Sequence, residues 1–167
     1  MRFLSRTDAQ HWCEREAITS AEGSRPTLRC ALPDAGTKLP WFAAWLAVAV
    51  PGISERLLWV TETGVWPSSE NWTLVSRLCA GYGETRSVDD APAIVTSAEE
   101  TEDLAAFVLL ALLSGWDARL VGTQDLLRVS ISHDEWIEFS ADGHGLIDQL
   151  RSELRAADIR ILEPRAV

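Results

Sequence analysis

His133, Asp134 and Glu135 stand consecutively in the segment SHDEW, an imidazole and two carboxylates of the kind that move protons or ligate a metal when they converge. A second polar segment, GVWPSSENW, carries Trp66, Ser68, Ser69, Glu70 and Asn71. Ser68 or Ser69 can cap a helix there, Glu70 and Asn71 fall in its first turn, and the free N–H groups of that turn suit an anion. Glu70 opposes a phosphate at that place, however, and Pro67, the serines and Glu70 are equally what a well-started helix needs with no ligand at all. Consecutive loop residues seldom meet at one point, which weakens SHDE as a metal or acid/base cluster. Adding Asp142 and His144 does not rescue it. If Trp136 to Phe139 is extended at about 3.3 Å per residue, the two groups lie on the order of 20 Å apart. His11 shares the polar face of a helix and is expected to face solvent. The chain has no Gly-rich phosphate loop, G-x-S-x-G elbow, H-E-x-x-H or C-x-x-C pair, so it signals no named reaction class, metal or cofactor.

Eight tryptophans accompany only one Tyr and four Phe in 167 residues. Trp12, Trp41, Trp45, Trp59, Trp72 and Trp116 fall in apolar-periodic stretches and read as core. Trp66 and Trp136 sit beside turns and polar runs. A large ring with one N–H donor in such a place is either buried with a partner for that donor or presented to something that packs on it.

The formal net charge of -10 opposes binding to phosphate backbones, and the 15 basic residues are scattered, so nucleic acid is excluded as a partner. The acidic run from Glu84 to Asp103 is a solvated face or a surface for a basic protein. Cys13, Cys30 and Cys79 are far apart in apolar segments and read as reduced, buried thiols of a cytoplasmic protein. The N-terminus, MRFLSRTDAQ, lacks the apolar stretch of a secretory signal. The apolar runs Leu39 to Val50 and Leu104 to Leu113 fall short of the ~20 residues a membrane helix needs, which predicts buried helices and no membrane partner. Length and composition fit a single globular domain over residues 1–167.

Spacing predicts a helix capped by Thr7 and running to about Ile18, a strand over 27–32, a helix over 39–50, a strand over 57–61 and a helix from Trp72 to Gly81. Leu57 to Thr61 is apolar on both alternations and should be covered on both faces. An irregular acidic connection spans 83–98. Ser97 and Glu100 then set a capping box for a helix over 98–114. Strands at 117–121 and 158–162 and a helix from Asp142 or Gly143 complete the pattern.

Residues 127–140 read as a hairpin whose register can be derived. A two-residue turn at His133–Asp134 would set Val129 against Glu138 and Arg128 against Phe139. A three-residue loop of His133, Asp134 and Glu135 instead pairs Ile131 with Ile137, Val129 with Phe139, Ser130 with Glu138 and Ser132 with Trp136. That register puts Trp136 on the polar face and Glu135 in the left-handed position such loops reserve for Gly, a hint of use. The fold expected is α/β or α+β, with a mixed sheet of five or six strands, parallel at its centre and antiparallel at one edge, and helices packed on it.

At LLWVTETGVWPSSEN, LLSGWDARL and SHDEWIEF the chain resembles a family of small uncharacterised bacterial proteins. The resemblance spans Leu57 to Phe139. It implies a bacterial single-domain protein in which the WPSSEN and SHDE segments belong to the function. Where the family pattern has Pro-Gly-His this chain reads APAIV at Ala91–Val95, and Thr63 replaces a Trp, so any role of that His does not carry over. The leading expectation is a non-enzymatic binding or protein-interaction module, with Trp66, the following turn and the SHDEW tip at its contact surface. The alternative is a small hydrolase or metal-dependent enzyme using Glu62, Glu70, His133, Asp134 and Glu135. A homodimer packed through its tryptophans is a third expectation.

Overall fold

A computed structural model describes residues 1–16, 25–34, 36–52, 54–63 and 72–162, Trp72 by its backbone. In chain order its elements are β1 (Arg2–Leu4), α1 (Arg6–Arg15), β2 (Thr27–Ala31), α2 (Lys38–Ala49), β3 (Glu55–Glu62), α3 (Trp72–Gly81) and β4 (Ala93–Ser97). After a 3-10 turn at Ala98–Glu100 follow α4 (Thr101–Ser114), β5 (Asp117–Gly122), β6 (Leu127–Ser132), β7 (Trp136–Ala141), α5 (His144–Ala156) and β8 (Ile161–Leu162). The segment from Trp66 to Asn71 lies outside the described residues, as do residues 17–18 of the first predicted helix.

The eight described strands form one sheet in the order β1-β4-β3-β5-β6-β7-β2-β8, and each neighbouring pair is antiparallel. The domain is therefore α+β, and the expected parallel centre and count of five or six strands are corrected. Double-sided burial of β3 does not come from parallel crossovers. It arises because Leu58 and Val60 face one helical layer while Leu57 and Trp59 face α1 on the other side. The two added strands, β1 and β4, were hidden in the N-terminal segment and in the presumed irregular connection. In β4 the residues Ala93 to Thr96 are all buried, so no alternation marks it.

One face of the sheet, here the front, carries the main core. Phe42, Leu46 and Ala47 of α2, Leu104, Phe107, Val108 and Ala111 of α4, Leu150 and Leu154 of α5, and Val75 of α3 pack there on Leu120, Val129, Ile137 and Phe139. On the back, among the described residues, α1 buries Ala9 and Trp12 against Leu57, Ala93, Val95 and Val121. Trp12 donates its indole N–H to Glu55 at 2.9 Å, and Glu55 also holds Arg2 through two 2.8 Å contacts. Ser5, rather than Thr7, caps α1: its Oγ accepts from the Asp8 backbone N–H and donates to the Asp8 carboxylate, so the helix begins two residues earlier than expected. The capping box predicted at Ser97 and Glu100 is present, with Ser97 N–H donating to Glu100 at 2.8 Å.

Arg56 ties the layers together from inside. Buried on β3, it donates to the carbonyls of Ala47 at 2.7 Å and Ser97 at 2.8 Å and to Thr101 Oγ1 at 2.8 Å. The end of α2 and the start of α4 thus share one guanidinium, whose fork geometry matches several carbonyls at once. Gly122 ends β5 opposite Arg56, under the backbone of Pro51, and a Cβ there would lie 2.0 Å from the Pro51 carbonyl oxygen. Gly122→Ala is therefore expected to lower the unfolding free energy by about 3 kcal/mol. Gly145→Ala, at a helical site with open space around it, raises it by about 0.5 kcal/mol. Urea unfolding of the two variants checks this, and equal midpoints would show that the approach to Pro51 is not as close as described.

Candidate functional site

The hairpin has the register derived from its two faces: Ile131 opposes Ile137, Val129 opposes Phe139, Ser130 opposes Glu138 and Ser132 opposes Trp136. Alternation sends Val129, Ile131, Ile137 and Phe139 into the front core and the polar set onto the back. Because α1 stops over β1, β4, β3 and the near part of β5, strands β5, β6, β7 and β2 keep a polar back face. Two full rows of side chains cross it, Thr27–Ser140–Arg128–Val121 and Arg29–Glu138–Ser130–Arg119, with a third of Ala31–Trp136–Ser132. Asp117, two residues before Arg119 on β5, points to the same side.

The serines are short and their neighbours long, which leaves a recess of about 330 Å³. Its lining includes Asp117, Arg119, Arg128, Ser130, Ser132, Trp136, Glu138 and Ser140. In a chain of net charge -10, this recess sets two arginines against two carboxylates. Trp136 forms one wall, half-buried, with the Arg29 guanidinium 4.1 Å from its ring centre. Arg29 also holds Glu138 at 2.7 Å, so ring, cation and carboxylate fix one another. Arg128 makes a fork onto Asp125 at 2.6 and 2.5 Å, and Asp125 takes Arg25 at 2.8 Å as well.

Of the residues expected at the site, His133, Asp134, Glu135 and Trp136 sit together at this end of the sheet, but in different roles. His133 is anchored by Asp117, whose Oδ1 accepts both the His133 backbone N–H at 2.8 Å and Nδ1 at 2.9 Å. Nε2 is thereby turned outward, 3.4 Å from the exposed Asp134 carboxylate. The hydrogen bond from Asp117 pushes the His133 pKa above its ordinary 6.5, with the charges of Asp117, Asp134 and Glu62 adding to it. Glu135 takes the left-handed conformation expected of it, with φ 61°. Its carbonyl accepts the Leu32 N–H at 2.8 Å and extends the β2–β7 ladder past the turn. His11 faces solvent as expected, and His144 starts α5 at the far end of β7 from the tip.

Glu62 stands opposite Asp117 across a register shift between Val60 and Glu62, an irregularity that re-aims side chains where the sheet ends. A second cavity of about 210 Å³, lined by Arg6, Glu62, Thr63 and Asp89, shares Thr61 with the lining of the recess. Sequence reasoning missed Asp117, Arg29, Arg119 and Arg128. The signal was available in part, since the same alternation that placed Trp136 on the polar side also placed Ser130, Ser132, Glu138 and Ser140 there. Among the described residues no three His, Cys, Asp or Glu side chains are arranged to hold a metal ion. None of the described helices is long and apolar enough to cross a membrane. No protein-family model matches the chain, and no curated protein or solved structure is detectably similar to it.

A raised His133 pKa has a testable sign. The Asp117 pairing contributes fully below pH 6.5 and is lost as pH rises through the raised value. An NMR titration of the His133 ring is expected to give a midpoint above 6.5 that falls on Asp117→Asn. A midpoint the substitution leaves unmoved would mean that another group holds the imidazole.

Proposed function

We propose that the protein is a non-enzymatic binding module that receives a segment of another protein on the open back of strands β5, β6, β7 and β2. The observation that carries this reading is the half-buried Trp136, locked by Arg29 at the wall of a 330 Å³ recess. A fixed aromatic ring beside a depression is the commonest form of an interaction hot spot. The shape favours a polypeptide over a small molecule. Pockets for small ligands enclose most of the ligand surface, whereas a trough on a sheet contacts one side only. Four strands at about 4.8 Å spacing span about 14 Å, the length of four or five extended residues. The hydroxyls of Ser130 and Ser140 supply hydrogen-bond partners for such a backbone, and the charges of Arg128, Glu138 and Asp117, already paired within the protein, demand no net charge from it. The GVWPSSENW segment, with Trp66, follows β3 in the sequence, and its part in binding rests on the sequence reading.

One observation favours a second reading, a small hydrolase. An imidazole held through Nδ1 by a carboxylate, with Nε2 outward, is the arrangement of a general base. Glu62 is near enough to act on His133 electrostatically, and Asp134 lies 3.4 Å from its Nε2, while Glu135 meets β2 through its backbone carbonyl alone.

Three variants separate the readings. Trp136→Ala and Ser130→Arg, which fills the recess, are expected to fold and to weaken retention of a bound protein by at least about tenfold, or roughly 1.4 kcal/mol. His133→Asn should leave retention within about threefold. The measurement is affinity capture from a bacterial extract, followed by titration of the retained protein against each variant. Retention indifferent to both recess variants sinks the binding surface, and hydrolysis of an ester or amide panel that disappears with His133→Asn decides for the enzyme.

A further inference from the structure

The charges of the recess are balanced in two different ways. Glu138 is held by the Arg29 guanidinium at 2.7 Å, and Asp125 takes both Arg25 at 2.8 Å and Arg128. A guanidinium keeps its charge at every pH near neutrality, so these pairings are permanent. Asp117 has an imidazole for its partner. Its Oδ1 accepts from His133 Nδ1 at 2.9 Å and from the His133 backbone N–H at 2.8 Å. An Nδ1 that donates to a carboxylate keeps its proton in the neutral ring and in the charged one, so titration happens at Nε2. The Asp117 charge is therefore cancelled only while Nε2 carries a proton.

Position adds to this. Asp134 Oδ1 lies 3.4 Å from Nε2, and Glu62 stands opposite Asp117 on β3, with Arg6 and Asp89 beside it in the adjoining cavity. The carboxylates thus gather at the hairpin-tip end of the recess. Arg119 stands one row further along the same face and Arg128 two rows further. Both Asp117 and Arg128 line the recess, so a segment lying in it meets ends of opposite sign.

We propose that His133 is a protonation switch on this recess: with the imidazole neutral, the Asp117 end takes a lysine or arginine side chain of the bound segment, and with it charged that side chain is released. The inference rests on the binding reading above and adds the charge of the segment and the condition for its release. Charge complementarity selects the occupant. When Nε2 is unprotonated it is an acceptor beside Asp134, with Asp117 and Glu62 adding negative potential, which suits a cationic donor. When Nε2 is protonated it becomes a donor to Asp134 itself, and the imidazolium repels a second cation. An acidic side chain would meet these carboxylates in both states. Proton and cation compete for one place, so affinity rises as pH climbs through the His133 titration, and a bound cation shifts that titration to lower pH. Asp117 holds the change above pH 6.5. Cys13 of α1, whose charged neighbours include Arg119 and Arg128, takes no part, because burial raises its pKa and keeps it a thiol.

The probe is a blocked pentapeptide with one arginine among serines, set against the same peptide with citrulline, which keeps the shape and lacks the charge. Dissociation constants are read by NMR from the His133 ring and the Trp136 indole at low salt, at about pH 5.5 and about pH 8.5, a span in which an imidazole changes charge and carboxylates in general do not. The arginine peptide is expected to bind at least about threefold more tightly at the higher pH, the scale of one exposed charge contact, and to lower the His133 midpoint at saturation. The citrulline peptide is expected to bind alike at both. His133→Asn, which holds the tip neutral, is expected to bind the arginine peptide alike at both, which separates His133 from His11 and His144. The switch is overturned by an arginine peptide that fails to bind at the higher pH, binds there no better than citrulline, or keeps its pH dependence in His133→Asn. Affinity capture tells the two readings apart. A retained protein lost with Trp136→Ala yet held equally at both pH values overturns the switch and leaves the surface. Retention indifferent to Trp136→Ala and Ser130→Arg removes the surface and the switch with it.

Discussion

The width of the sheet is the constraint on which everything else depends. Eight strands at about 4.8 Å spacing span about 34 Å, while a helix is only about 10–12 Å across and α1, with ten residues, about 15 Å long. Several helices can cover such a sheet, and on the front they do. On the back α1 is the single described helix, and it is anchored over one half by Trp12 and Glu55. The other half must therefore carry residues that tolerate water. That is why Arg29, Arg119, Arg128, Glu138 and three serines occupy positions whose neighbours on the same strands are Val, Ile, Phe and Leu. The recess is a consequence of unequal cover, not of a specialised loop.

Unequal cover demands that the front layer hold the sheet flat and in register without help from the back. Arg56 meets this demand at the crowded junction of α2, β3 and α4. Carbonyls at the end of α2 and ahead of α4 would be orphaned in an apolar interior, and a single buried guanidinium satisfies both sets. Burial lowers the Arg56 pKa while the nearby Glu100 raises it, and Glu100 in turn closes the capping box and receives the N-terminal ammonium. One chain of contacts therefore runs from the N-terminus through the start of α4 into the centre of the sheet. Gly122 makes room for it by letting the Pro51 backbone come close.

Local chemistry and two-faced alternation were legible in the sequence, and long-range pairing was not. The hairpin register followed from a requirement that both faces be consistent, and the left-handed Glu135 followed from the register. Capping residues foretold α4 because the capping box is a contact within four residues. In contrast, β4 is buried on both faces and five residues long, so it lacks the period that marks a half-exposed strand. Helix–strand alternation suggested parallel crossovers, yet β3 and β4 are joined through α3 and still pair antiparallel. Spacing fixes which face a residue takes, not which strand lies beside it. The site shows the same division. Trp136 and His133 were found from their own segment, while Asp117 and Arg29 act on them from 16 and 107 residues away in the chain, separations that local pattern does not reach.

Rigidity of the recess follows from its place in the sheet. The recess lies on strands, not on loops, and its floor of Ser130, Ser132 and Ser140 is the reverse of a core made of Val129, Ile131 and Phe139. A partner that displaced those strands would have to disturb the main core to do so, which makes the surface a preformed template rather than one moulded on contact.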